Sequence, residues 1–283
     1  MASGRISAIL ASLLTRAVKN RRFRPVLNDV LADPGARDAI LHRLGTLLWH
    51  TSDRIDHEMP PDLSSVSGLG DMLWLFSSNY ANRGNAMLML EEASWLYEKV
   101  NSMPDPQVVE VGRAKGGTTF LLAAAGARVL SIDNGAQETS HARRSGAGEI
   151  GYDGALANAL RRAGLEKRVD LVVADATTFQ PPNKEFDLAY IDVMLPTEIL
   201  APVVEKWWEA LKPGATLVLR DGREPRVPSQ QAIADRMRHL DQTTMVEPAP
   251  GVFTVIEKGT VGQEGTELSI DLTEPKSAKI GPN

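Results

Sequence analysis

The chain has 283 residues, 43% hydrophobic and 24% charged, with a formal net charge of −5. That composition is ordinary for a globular fold and argues against bulk affinity for nucleic acid. It contains no cysteine, so disulfides, thiolate nucleophiles and thiolate metal sites are excluded, which fits a cytoplasmic protein.

Residues 1–28 carry Arg5, Arg16, Lys19, Arg21, Arg22 and Arg24 before the first acid, Asp29. Ile6, Ile9, Leu10, Leu13, Leu14 and Val18 recur at helical spacing, which predicts a packing helix with one basic face. An organelle presequence has the same pattern; a secretory signal is disfavoured because the apolar segment is short. A helical pattern follows over residues 36–50, broken by Met59-Pro60-Pro61, and residues 64–70 read as a loop. Another helix is expected over residues 86–100, stopped by Pro104. Residues 1–103 are thus expected to form a helical extension, serving as a lid or as a surface for a homo-oligomer. No apolar run nears the roughly 20 residues that span a bilayer, and the most apolar stretch, around residues 120–132, is interrupted by Arg128. No membrane partner is expected.

The rhythm changes at Gln107. Short, nearly continuous apolar strands are expected at residues 107–111, 127–133, 169–175, 187–193 and 215–221, alternating with helices at 118–125, 153–163, 197–211 and 229–240. Such alternation predicts a parallel sheet covered on both faces. Two further strands, 243–247 and 252–258, flank Pro248-Ala249-Pro250-Gly251 and form an expected antiparallel hairpin. The whole reads as an α/β fold: a Rossmann-like, doubly wound, mostly parallel seven-stranded sheet with an antiparallel last strand. It would occupy residues 104–258, followed by a tail over 259–283.

The segment with the most chemical content is Val108-Val109-Glu110-Val111-Gly112-Arg113-Ala114-Lys115-Gly116-Gly117-Thr118-Thr119. A strand enters a glycine turn and then a helix. Gly112 permits the turn and close backbone approach. Gly116 and Gly117 do so where the helix begins, and its N–H groups suit an anion. Thr118 and Thr119 are expected to cap the helix or donate to a ligand. Ala114 stands where a dinucleotide pattern requires its second glycine. Glu110, at the carboxyl edge of the sheet, would repel a pyrophosphate and welcome an amino or sulfonium group.

The run Glu110-x-Gly112-x-x-x-Gly116-Gly117-Thr118-Thr119 resembles the first motif of class I S-adenosylmethionine-dependent methyltransferases. The nearest branch is the small-molecule O-methyltransferases that include macrolide-sugar, rhamnosyl and cephalosporin-pathway enzymes. The resemblance covers about residues 73–258. It implies that the glycine turn holds the methionine half of S-adenosylmethionine, that Asp133 holds the ribose hydroxyls, and that Asp175 and Ala176 face the adenine. It also implies that Asp192 lies beside the reacting methyl group, as a cofactor contact and a catalytic residue. Each acid alone could be an ordinary strand-end residue; the ordered set of four carries the weight.

Some members of that branch place Mg²⁺ between the fourth-strand acid and an acidic pair after the fifth strand. Asp192 and Asp221 match two such positions, so they are the candidate metal ligands. The pair here reads Arg220-Asp221, and strand alternation would send those two side chains to opposite faces. The Asp-His pair common after the fourth strand is missing. Among His42, His50, His57, His141 and His239, His141 lies in a long loop leaving the carboxyl edge and is a second catalytic candidate; a solvated loop histidine is the simpler reading. Tyr80 and Arg83 lie in a segment that covers the site in the family. The tryptophans at 74, 95, 207 and 208 read as packing residues. The expected partner is a small-molecule acceptor, a sugar or other small metabolite of secondary metabolism. Two other readings compete: a cofactor-binding protein without turnover, and a nicotinamide-dependent oxidoreductase, which shares the fold but not the glycine pattern.

Overall fold

The computed structural model describes residues 20–23, 25, 26, 28, 29, 54–76, 84–136, 151–182, 185–222, 227–239 and 243–259. The strands are β1 (Gln107–Val111), β2 (Arg128–Asp133), β3 (Val169–Val173), β4 (Phe186–Ile191), β5 (Leu211–Leu219), β6 (Thr243–Met245) and β7 (Thr254–Lys258). Among the described residues they form a seven-stranded sheet in the order β3-β2-β1-β4-β5-β7-β6. β2 pairs with β3, β1 with β4 and β4 with β5, all parallel; β7 runs antiparallel to both β5 and β6. This is the expected Rossmann-like, doubly wound sheet with an antiparallel last strand. The strand order reverses direction between β1 and β4, the place where such sheets bind ligands beyond the strand ends.

Among the described residues the sheet is accompanied by helices α1 (Ile55–Glu58), α2 (Leu90–Asn101), α3 (Gly117–Ala124), α4 (Gly151–Arg162), α5 (Thr197–Glu209) and α6 (Pro228–Arg238), with 3₁₀ segments at Leu69–Leu75 and Glu166–Arg168. α2 begins four residues later than the periodicity predicts. Ala86 donates its N–H to Leu75 O at 3.1 Å, and Met87 takes φ 49°, so the backbone there follows a neighbouring segment instead of a helix. β5 begins four residues earlier than expected. Phe186 opposes Leu211, but Leu188 opposes Thr216. The extra residues around Pro213 and Gly214, the latter at φ 79°, form a bulge that lets the strand start before the kink.

The chain divides into two compact units, Met1–Pro106 with Arg113–Val173, and Gln107–Gly112 with Ala174–Asn283. In the first, α3 packs on β2 and α2 packs on α3. Trp74 meets Phe120 edge to face at 5.5 Å, and its indole N–H donates to Asp71 O at 2.7 Å. In the second, α5 covers β4 and β5, and α6 packs on α5. Trp207 and Trp208 are wholly buried, Trp207 between Phe179 and Phe186. The indoles of Trp74, Trp207 and Trp208 are packing residues, as their spacing implies. Lys258 ends β7 inside this core. Its ammonium donates to Trp208 O and Leu211 O at 2.8 Å each, and to Glu209 O at 3.5 Å, and lies 5.6 Å from the centre of the Trp208 ring. It satisfies carbonyls that the end of α5 would otherwise leave open. No helix among the described residues is long and apolar enough to cross a membrane.

Candidate active site

The strands stop sooner than the apolar runs suggest, and that moves the acids. Only Asp133 lies within its strand; Asp175, Asp192 and Asp221 stand one or two residues past the ends of β3, β4 and β5. Beyond the ladder the period-2 alternation no longer fixes side-chain direction. Each acid is therefore aimed by its own turn.

In the first unit the glycine turn is built around Asp133. Its Oδ2 accepts the backbone N–H groups of Arg113 (2.8 Å) and Ala114 (3.0 Å), and its Oδ1 accepts that of Gly135 (2.7 Å). Ala114 is held at φ 48° and Gly116 at φ 85°. A Cβ on Gly116 would stand 2.6 Å from a Leu156 methyl, and one on Gly117 would overlap the backbone of Asn85 and Ala86. Gly117 is therefore a glycine of close approach. Of the two roles expected for Thr118 and Thr119, capping α3 is not the one they take. Gly116 is the N-cap and makes no side-chain cap bond. The Thr118 hydroxyl donates to Ala86 O at 3.0 Å, and Thr119 shares a 3.2 Å hydrogen bond with Ser131. Both hydroxyls are turned inward by the packing of the turn.

Sequence reading missed Arg113. Its side chain is 1% exposed, and Nε and Nη2 grip both oxygens of Asp153 at 2.8 and 2.7 Å. Nη1 donates to Ser131 O at 2.8 Å. One guanidinium thus ties the glycine turn to β2 and to the start of α4. The signal for it was an arginine directly after the first glycine of the turn.

In the second unit Gly112, at φ 96°, faces the backbone of Asp192; a Cβ there would overlap Asp192 O. The Asp192 N–H donates to Val111 O at 2.8 Å, extending the β1–β4 ladder by one bond. Glu110 is wholly buried. The Asp192 carboxylate is reached by two groups. Arg220 Nη1 lies 3.4 Å from Oδ1, and the Tyr190 hydroxyl donates to Oδ2 at 3.4 Å. Arg220 Nη1 also lies 3.2 Å from Asp221 Oδ2. Burial pushes the Asp192 carboxyl above the ordinary carboxylate range; Asp221 adds to that push, while Arg220 and the Tyr190 hydroxyl oppose it.

This arrangement corrects two expectations. Arg220 and Asp221 do not point to opposite faces, because β5 ends at Leu219 and Asp221 turns back at φ 59°. Nor do Asp192 and Asp221 fit Mg²⁺. A guanidinium nitrogen lies 3.4 Å from one carboxylate and 3.2 Å from the other, a fixed positive charge where the ion would sit. Among the described residues no cluster of three or more His, Asp or Glu side chains could hold a metal.

Asp175 is exposed and caps its own turn. Its Oδ1 accepts the N–H and hydroxyl of Thr177 at 2.8 and 2.7 Å, bonds that hold its carboxyl below the ordinary range. The turn is fastened from below by Lys206 of α5. Its ammonium donates to Ala176 O at 2.8 Å, Thr177 O at 3.3 Å and Phe179 O at 2.6 Å. Gln230 of α6 does the same for the loop after β4, donating Nε2 to Val193 O at 2.8 Å. His141, Tyr80 and Arg83 lie outside the described residues. His239 follows the last residue of α6.

Residues 109–222 match the family model described as a methyltransferase domain. That stretch is similar to a methyltransferase domain. The match takes in the glycine turn, Asp133, Asp175, Asp192, Arg220 and Asp221. A curated relative, phosphoethanolamine N-methyltransferase 1 of Arabidopsis thaliana, is 28% identical over 160 residues, which are 56% of this chain but only 28% of that protein. Among solved structures, an O-methyltransferase from Bacillus cereus in complex with S-adenosylhomocysteine is 17% identical, with a TM-score of 0.47, covering 64% of this chain and 86% of that one. The O-methyltransferase TomG of Streptomyces achromogenes, involved in tomaymycin synthesis, is 16% identical, with a TM-score of 0.45, covering 81% and 91%. Gln230, which holds the loop after β4, falls beyond the matched stretch.

Proposed function

We propose that the chain transfers the methyl group of S-adenosylmethionine to a hydroxyl of a sugar or other small metabolite in natural-product biosynthesis. The observation that carries this reading is the ordered set of a glycine turn and strand-end acids inside the stretch that matches a methyltransferase domain. The donor set suits the cofactor. Asp133, half-buried, keeps one acceptor direction on Oδ1 for a ribose hydroxyl. Asp175 uses only Oδ1 in its turn, which leaves Oδ2 for an adenine amino group. Glu110, Gly112, Gly116, Gly117 and Thr118 would shape the methionine end, and Ala176 would lie against the adenine.

S-adenosylmethionine supplies an electrophilic methyl on a sulfonium, a good leaving group. The protein has to orient the acceptor oxygen in line with the C–S bond, exclude water and take one proton. Asp192 is suited to take that proton, since burial raises its affinity for one and its side chain keeps 23% of its exposure. A second reading, transfer to a nitrogen acceptor, draws on the 28% identity with a phosphoethanolamine N-methyltransferase.

Calorimetric titration with S-adenosylhomocysteine tests the reading. Wild type is expected to bind with micromolar affinity, and Asp133→Ala to lose that binding, because it removes the ribose acceptor and loosens the glycine turn. Absence of binding by wild type, with binding of a nicotinamide dinucleotide instead, would replace this reading with the oxidoreductase one. An acceptor screen over sugar hydroxyls and small amines then separates the two transfer chemistries.

A further inference from the structure

We infer that Arg220 is a built-in cation that takes the place of a divalent ion between Asp192 and Asp221, making methyl transfer by this chain independent of metal, with Arg220 as the positioning residue for Asp192. This rests on the proposed function. A single guanidinium nitrogen, Nη1, is 3.4 Å from Asp192 Oδ1 and 3.2 Å from Asp221 Oδ2. The arginine and Asp221 side chains are 9% and 11% exposed, so the pairing is shielded from solvent and salt. The position is over-determined. Asp221 adopts φ 59°, unusual for a non-glycine residue, and this turns its carboxylate back toward Arg220. The next residue must be glycine, since a Cβ on Gly222 would stand 2.5 Å from Thr254 Oγ1 of β7. The turn after β5 is thereby locked against β7, with its acid aimed at the guanidinium.

The charge balance follows. Two carboxylates and one guanidinium leave a net single negative charge. A divalent ion entering there would meet a fixed positive charge at contact distance. Arginine remains protonated at every working pH, so the cation is permanent. It fixes Asp192 through Oδ1 and leaves Oδ2, beside the Tyr190 hydroxyl, on the side available for the acceptor proton.

The test is Mn²⁺ titration of the full chain, followed by electron paramagnetic resonance without cofactor. Wild type and Arg220→Lys are expected to bind no Mn²⁺ below about 1 mM, the weak end for oxygen sites. Arg220→Met should gain a site at least roughly tenfold tighter than wild type, lost again when Asp192→Asn is added. Wild-type transfer should persist in excess chelator. Submillimolar Mn²⁺ binding by wild type that Asp221→Asn abolishes would overturn the inference. So would wild-type transfer that stops with chelator and returns with Mg²⁺. If Arg220→Met fails to fold, wild type and Arg220→Lys still decide the matter. Because Mn²⁺ is read without cofactor, failure to bind S-adenosylhomocysteine counts against the proposed function, and Mn²⁺ uptake by wild type counts against the role of Arg220.

Discussion

At Asp192 fold and chemistry pull in opposite directions. Burial raises its affinity for a proton above that of a surface carboxylate. Between its ordinary value and the raised one, the folded state therefore binds more protons than the unfolded state. Stability falls as pH rises through that window, and the penalty persists at neutral pH. Asp192→Asn removes the penalty, and Arg220 keeps Asp221 as a partner. The variant should melt at the same temperature as wild type or higher at pH 7, while turnover falls by roughly 10²–10⁴-fold. Thermal melting and initial rates check both halves; a marked loss of melting temperature would mean that Asp192 chiefly holds the fold. The acids themselves were legible in the sequence because a carboxylate ending an apolar run stands out. Their partners were not. Arg113 and Arg220 are flexible side chains on turns, where neither helical nor strand periodicity predicts direction, and only the folded turn reveals which carboxylate each one reaches.

At the scale of elements, helix α5 does more than cover β4 and β5. Lys206 gathers three carbonyls of the turn that carries Asp175. Without the ammonium that turn keeps its own short bonds, those from Thr177, Thr178 and Phe179 back to Asp175, and the stacking of Phe179 on Trp207. Lys206→Met is expected to weaken S-adenosylhomocysteine binding about tenfold, or about 1.4 kcal/mol, with little change in kcat at saturating cofactor. An unchanged Kd by calorimetry would show that the turn holds its shape unaided. Elements with strong periodicity were legible: β1 falls where its apolar run predicts, and α3, α4 and α6 lie within two residues of expectation. The misses have local causes. α2 starts late because Ala86 bonds to Leu75, and β5 starts early because a bulge at Pro213 and Gly214 absorbs the break.

For the whole molecule, the order of strands followed from simple rules. Parallel neighbours joined through helices and a final hairpin leave few arrangements, and the observed order is one of them. What sequence could not supply is the division of the chain into two units, with the chain passing from one to the other at Gly112 and Arg113, inside the glycine motif itself. A ligand that binds only the folded state stabilises it by about 2.7 kcal/mol at a hundred times its Kd. S-adenosylhomocysteine at that excess should raise the melting temperature by roughly 5–10 °C. Scanning calorimetry reads this directly, and no shift would contradict cofactor binding.

The buried end of β7 also offers a chemical clock. Lys258 is 6% exposed and its amine is engaged with carbonyls, whereas Lys167 is exposed. An amine-acylating reagent followed by peptide mass analysis should modify Lys167 at once and Lys258 only as fast as this corner opens. While buried the amine is out of the reagent's reach; once the corner opens it reacts like any exposed lysine, and its labelling rate reports the opening of this end of β7.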